Sequence, residues 1–78
     1  MKIIIVDSSN EREVLEINEN EKIEKLREMI ASKKGINTEL KLHFNGELLE
    51  DENTISDYDI SENDVIFYVG IFEAGLYF

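Results

Sequence analysis

Few of the residue types that carry chemistry occur in useful combination in this 78-residue chain. His43 is its one imidazole, and it has no cysteine. No serine, histidine and aspartate stand in the spacing of a catalytic triad, and no glycine-rich loop is present to cradle a phosphate. A general base needs an activating neighbour, and His43 has none in the sequence. Along Leu40-Lys41-Leu42-His43-Phe44 the apolar residues alternate, so His43 faces away from Leu40, Leu42 and Phe44. It is expected on the surface, either as an ordinary exposed histidine or as a partner contact with pH-dependent affinity. The run Glu50-Asp51-Glu52 lacks the spacing of a calcium loop and is read as a solvated turn. A zinc site of the Cys/His kind has no ligands. No enzymatic activity, no cofactor and no metal are expected.

Composition narrows the classes further. The net charge is −10, from 18 acidic and 8 basic side chains. A nucleic-acid binder needs a basic footprint and an anionic membrane needs cations, so neither partner is expected. Hydrophobic residues make up 42% and seven aromatics are present, which argues for a packed core rather than acidic disorder. The charge is uneven: residues 1–41 hold nine acidic and eight basic side chains, and residues 42–78 hold nine acidic and none basic. That acidic second half either attracts basic partners or keeps a small domain soluble. The absence of cysteine suits a reducing compartment, and the expected location is cytoplasmic or nuclear. Met1 to Asp7 is too short and too soon acidic for a signal peptide, and no apolar run reaches the length of a membrane span. One monomeric domain is expected.

The periodicities give an order of elements. Met1 to Val6 is a β-branched run fit for a central strand, Asp7-Ser8-Ser9-Asn10 is turn-forming, and Val14 to Ile17 returns as a second strand. Ile23, Leu26 and Ile30 form one stripe of a helix over 21–34, with Asn20 as N-cap and Lys33-Lys34-Gly35 as its close. Leu40 to Phe44 is a strand, Asn45-Gly46 a tight hairpin turn, and Glu47 to Leu49 a short returning strand. Thr54 to Tyr58 is a single turn capped by Thr54, and Val65 to Phe72 is the last strand. The expected class is α+β, a ββαββ(short helix)β mixed sheet packed on one helix.

These segments resemble ubiquitin and its relatives over about positions 1–75. The most specific stretch, Leu49-Glu50-Asp51-Glu52-Asn53-Thr54-Ile55-Ser56-Asp57-Tyr58-Asp59-Ile60, is similar to the family segment Leu-Glu-Asp-x-x-Thr-Leu-Ser-Asp-Tyr-x-Ile. Lys33-x-Gly35-Ile36 resembles the family's helix exit, Phe44-x-Gly46 its Phe-Ala-Gly turn, and Met1-x-Ile3 with Leu15-Glu16-Ile17 its first hairpin. One residue is missing between Gly35 and Leu42 relative to the family. The resemblance implies a β-grasp roll over 1–72 with a tail at 73–78, and a core of Ile3, Ile5, Leu15, Ile17, Ile23, Leu26, Ile30, Leu42, Leu49, Ile55, Ile60, Ile66 and Tyr68. Glu13 stands where the family has an inward aliphatic, so a bulge or a shifted register is expected there.

The resemblance also implies a site. Family members present an apolar patch on the sheet face opposite the helix, bound by small helical or zinc-containing modules. Carried over by position, the patch is Ser8, His43, Phe67 and Val69, with Gly46 at its edge. Alternation along the last strand puts Val65, Phe67, Val69 and Ile71 on that outward side independently. Such a stripe marks an interface unless the tail or a neighbouring domain covers it. Phe67 is the expected anchor. Binders of ubiquitin itself are expected to bind poorly, because two aliphatics of the patch are lost. Of the family's linkage lysines only Lys33 remains; Val6, Glu11, Arg27, Met29, Glu47 and Glu62 occupy the others. The family's terminal Gly-Gly is absent, and Glu73-Ala74-Gly75 stands there, followed by Leu76-Tyr77-Phe78. Two functions are therefore open. One is protein recognition through the sheet face, in a larger protein or polyprotein or as a tag. The other is a diverged modifier of a ubiquitin-type pathway, attached covalently to proteins by conjugation machinery after processing or splicing near Gly75 to Phe78, with Ala74 and Gly75 as the candidate conjugation or processing residues.

Overall fold

The computed structural model describes residues 1–71; Phe72, the 73–78 tail and the candidate processing residues Ala74 and Gly75 lie outside the described residues. Five strands form one sheet in the order β2-β1-β5-β3-β4: β1 (Lys2–Val6), β2 (Arg12–Glu16), β3 (Glu39–Phe44), β4 (Glu47–Leu48) and β5 (Val65–Ile71). Helix α1 (Ile23–Lys34) packs on one face, and a short 3-10 turn spans Ser56–Tyr58. The last strand is central, parallel to β1 and antiparallel to β3. This is the expected mixed α+β roll.

Ile23, Leu26 and Ile30 are the buried stripe of α1. They meet Ile3, Ile5, Leu15, Leu40, Leu42, Ile66 and Tyr68 from the inner face of the sheet, with Ile17, Leu49, Ile55 and Ile60 closing the ends. Every core residue implied by the resemblance is buried, and Leu40 joins them. Asn45 and Gly46 both take positive φ, 54° and 79°, as a two-residue hairpin turn of type I′ requires. Gly35 ends the helix in the left-handed region at φ 66°, and Ile36 donates back to the Ala31 carbonyl at 2.9 Å.

The helix start differs from the sequence expectation. The N-cap is Lys22, not Asn20, and no side chain caps it. Asn20 sits earlier, in a turn where its N–H donates to Asn18 Oδ1. The orphan donors of the first turn are met by a remote loop instead: Ile23 N–H donates to the Asn53 carbonyl at 2.8 Å and Glu24 N–H to the Asp51 carbonyl at 3.3 Å. In return Ile55 and Ser56 donate to the carbonyls of Glu21 and Glu19. Arg27 closes the same loop with a two-pronged pair to Asp51, Nε to Oδ1 at 3.1 Å and Nη2 to Oδ2 at 2.8 Å. Asp51 is thus a structural anchor rather than part of a merely solvated turn. Thr54 does cap the short turn, reciprocally: its N–H donates to Asp57 Oδ2, and its Oγ1 accepts from Asp57 N–H.

Glu13 lies in an unbroken register, Ile5 opposite Glu13 and Ile3 opposite Leu15, so neither a bulge nor a slip is present. The carboxylate points to the helix side and is matched by cations. Oε2 is enclosed and 3.2 Å from Lys34 Nζ, and Oε1 is 3.8 Å from Lys33 Nζ. Charge pairing at the helix end replaces the aliphatic contact.

Leu26 is fully buried in the middle of the helix stripe. Leu26→Ala should cost about 2–5 kcal/mol, read from urea unfolding.

Candidate functional site

The register defines the outward face of the sheet row by row, because directly opposed residues share a face. One row is Arg12, Val6, Phe67, His43 and Leu48; the row below is Val14, Ile4 and Val65. Val69 sits opposite Lys41, and Ile71 opposite Glu39. Phe67 is half exposed at 50%, between buried Val6 and half-buried His43. Leu48, at 41%, and Val14, at 56%, extend the apolar surface to the two sheet edges.

The structure therefore brings four of the expected residues together. His43 and Phe67 are direct cross-strand partners, and Val69 and Ile71 follow Phe67 on the same side of β5. Gly46 adjoins them from the β3–β4 turn. Ser8 is different. It is exposed in the β1–β2 turn, outside any strand, and lines a separate cleft with Asp7, Ser9, Lys34, Ile36 and Tyr68. That turn is set by Asp7 Oδ1, which accepts from the Ser9 hydroxyl and from the N–H groups of Ser9 and Glu11. These bonds, the Ser9 hydroxyl first, hold the Asp7 carboxyl below its usual range. Lys33 lies at the helix end, partly exposed and near Glu13.

Four apolar residues of this face are not marked by the sequence. Ile4 and Val6 sit inside a run that reads as uniformly core, Val14 adjoins the out-of-pattern Glu13, and Leu48 lies in a strand too short to show alternation. Fixing the β1–β2 register, with Glu13 inward, would have put Val14 outward with them. Among the described residues no three acidic or histidine side chains are grouped to hold a metal ion, and no helix is long and apolar enough to cross a membrane.

The family model described as "Ubiquitin family" matches residues 3–71. The chain belongs to the ubiquitin family. No curated protein matches it. Members of the ubiquitin family generally have no catalytic role and commonly bind other proteins. The outward sheet face of this member carries Val69 and presents an aromatic, Phe67, beside a histidine.

The cleft beside Ser8 has a defined response to alkali. The close contact with Glu13 raises the Lys34 ammonium, and burial raises the Tyr68 phenol. Both groups hold their protons more tightly folded than unfolded. Their contribution is complete below about pH 10 and is lost as pH rises through the folded values. Urea unfolding between about pH 8 and about pH 11 should show falling stability, and Tyr68→Phe should flatten that fall.

Proposed function

We propose that this ubiquitin-family domain is a non-enzymatic protein-recognition module whose docking surface is the outward sheet face centred on Phe67. The observation that carries the reading is the row Val6–Phe67–His43–Leu48 across four strands, in which exposed Phe67 and Leu48 flank the half-buried imidazole of His43. A large aromatic that folding leaves uncovered retains apolar area for a partner to bury. Aromatic anchors of this kind supply most of the binding energy at protein interfaces. Val69, Ile71 and Gly46 border the row, and Ser8 lies outside it. The partners are small modules of the kind that bind ubiquitin-like surfaces, with chemistry suited to an aromatic rather than a purely aliphatic patch. A cytoplasmic or nuclear setting fits this reading.

Phe67→Ala should lower affinity for such a module by about 2 kcal/mol or more, measured by titration calorimetry, with the thermal unfolding of the domain little changed. Retained affinity in that variant would remove the row from the interface.

The modifier reading is supported by family membership and by the resemblance, which would put Ala74-Gly75 near the family's conjugated terminus. It expects higher-mass adducts of the tagged full chain in cells, lost when Gly75 is deleted. Detection of free protein alone would count against it.

A further inference from the structure

The two edges of the sheet differ in a way that bears on self-association. The β4 edge is two residues long and adjoins the acidic run Glu50-Asp51-Glu52. The β2 edge is five residues long, Arg12-Glu13-Val14-Leu15-Glu16, and belongs to the half of the chain whose charges nearly balance. Among the described residues nothing pairs with its outer side. Its backbone direction follows from the ladder. Met1 and Ile17 exchange both hydrogen bonds, and Asp7 N–H donates to the Glu11 carbonyl. Alternation between these points turns Glu13 and Leu15 toward β1, and turns the N–H and C=O of Arg12, Val14 and Glu16 toward the open side.

This edge is complementary to itself. We propose that β2 is the interface for a second copy of this chain, paired antiparallel about a two-fold axis through Val14. In that register Val14 faces Val14 of the second copy, and Arg12 faces Glu16 of the second copy, twice by symmetry. All three lie on the outward face and all three have free edge hydrogen-bonding groups, so ladder and charge agree in one register. Among the described residues Arg12 has no ion-pair partner of its own, while Glu16 Oε2 lies 3.1 Å from the Met1 ammonium, so Arg12 of the second copy would share an exposed carboxylate with that terminus. On the inner face Glu13 meets Leu15 of the second copy, but its carboxylate is already turned to Lys33 and Lys34 of its own helix. Val14, the most exposed of the large apolar side chains among the described residues, becomes covered. The two sheets become one continuous sheet, with both Phe67 rows on the same side. Phe67 lies two strands from the contact, so the inference does not rest on its role in recognition.

The pairing buries little area, and a reversible dimer with a dissociation constant on the order of 10–100 μM is expected. Sedimentation equilibrium of the full chain from about 10 μM to about 1 mM should show it. Hydrogen exchange should slow with concentration at the amides of Arg12, Val14 and Glu16, and not at those of Glu13 and Leu15. Arg12→Glu or Glu16→Arg alone should weaken the dimer about tenfold, and the two together should restore it. Val14→Pro should abolish it while leaving the bonds to β1, because the Val14 N–H points to the open side. Circular dichroism checks that each variant folds. A single species of 9.1 kDa throughout the range would overturn the proposal. So would a dimer indifferent to all four variants, or an edge that takes up an added extended peptide without self-association.

Discussion

The start of the helix cannot stand alone, and much of the fold follows from how it is completed. No side chain of the 18–22 segment reaches the free N–H groups of the first turn, so the carbonyls of Asp51 and Asn53 must. Each such bond contributes only about 0.5–1.5 kcal/mol net, yet a helix end buried without them would lose more. The clasp runs both ways, through Ile55 and Ser56 to Glu21 and Glu19, and Arg27 fastens it from the next turn of the helix. Arg27 and Asp51 are both partly exposed, so their pair contributes little energy after solvent screening. What it fixes is position. With the 51–56 segment held against the helix start, Ile55 and Ile60 are delivered to the core.

The sheet divides the remaining work between its faces. The inner face is closed by the helix and is almost wholly aliphatic, with Tyr68 at one end and Glu13 at the edge. Glu13 shows that a carboxylate can occupy an inward position when two lysines at a helix terminus meet it. The outward face has no covering layer among the described elements, yet Val6 is buried there. Its direct partners on the flanking strands are Arg12 and Phe67.

Much of this was legible in the sequence, for identifiable reasons. The stripe Ile23, Leu26, Ile30, the turn Asn45-Gly46 and the exit at Gly35 depend on local rules, and each is found where those rules put it. The outward set on β5 followed from alternation alone. The helix start is not legible, because local rules favour a side-chain cap and Asn20 offers one; the actual cap is backbone from a distant segment and leaves no trace in local composition. Glu13 is not legible either, because an inward charge looks like a register fault until the lysines of the helix end are folded beside it. Val6 and Ile4 were hidden by the uniformity of their strand, in which both faces are β-branched.

The position of the last strand has a consequence for how this protein comes into being. β5 joins the β1–β2 hairpin to the β3–β4 hairpin, and neither touches the other in the sheet without it. As the ribosome releases the chain, both hairpins and the helix emerge before Val65 to Ile71 does. Until then each half-sheet carries an unpaired inner edge, the condition under which nascent chains are most open to chaperones and to wrong pairing. The sheet therefore cannot close until Val65 to Ile71 is available, and the segment that closes it also carries Phe67.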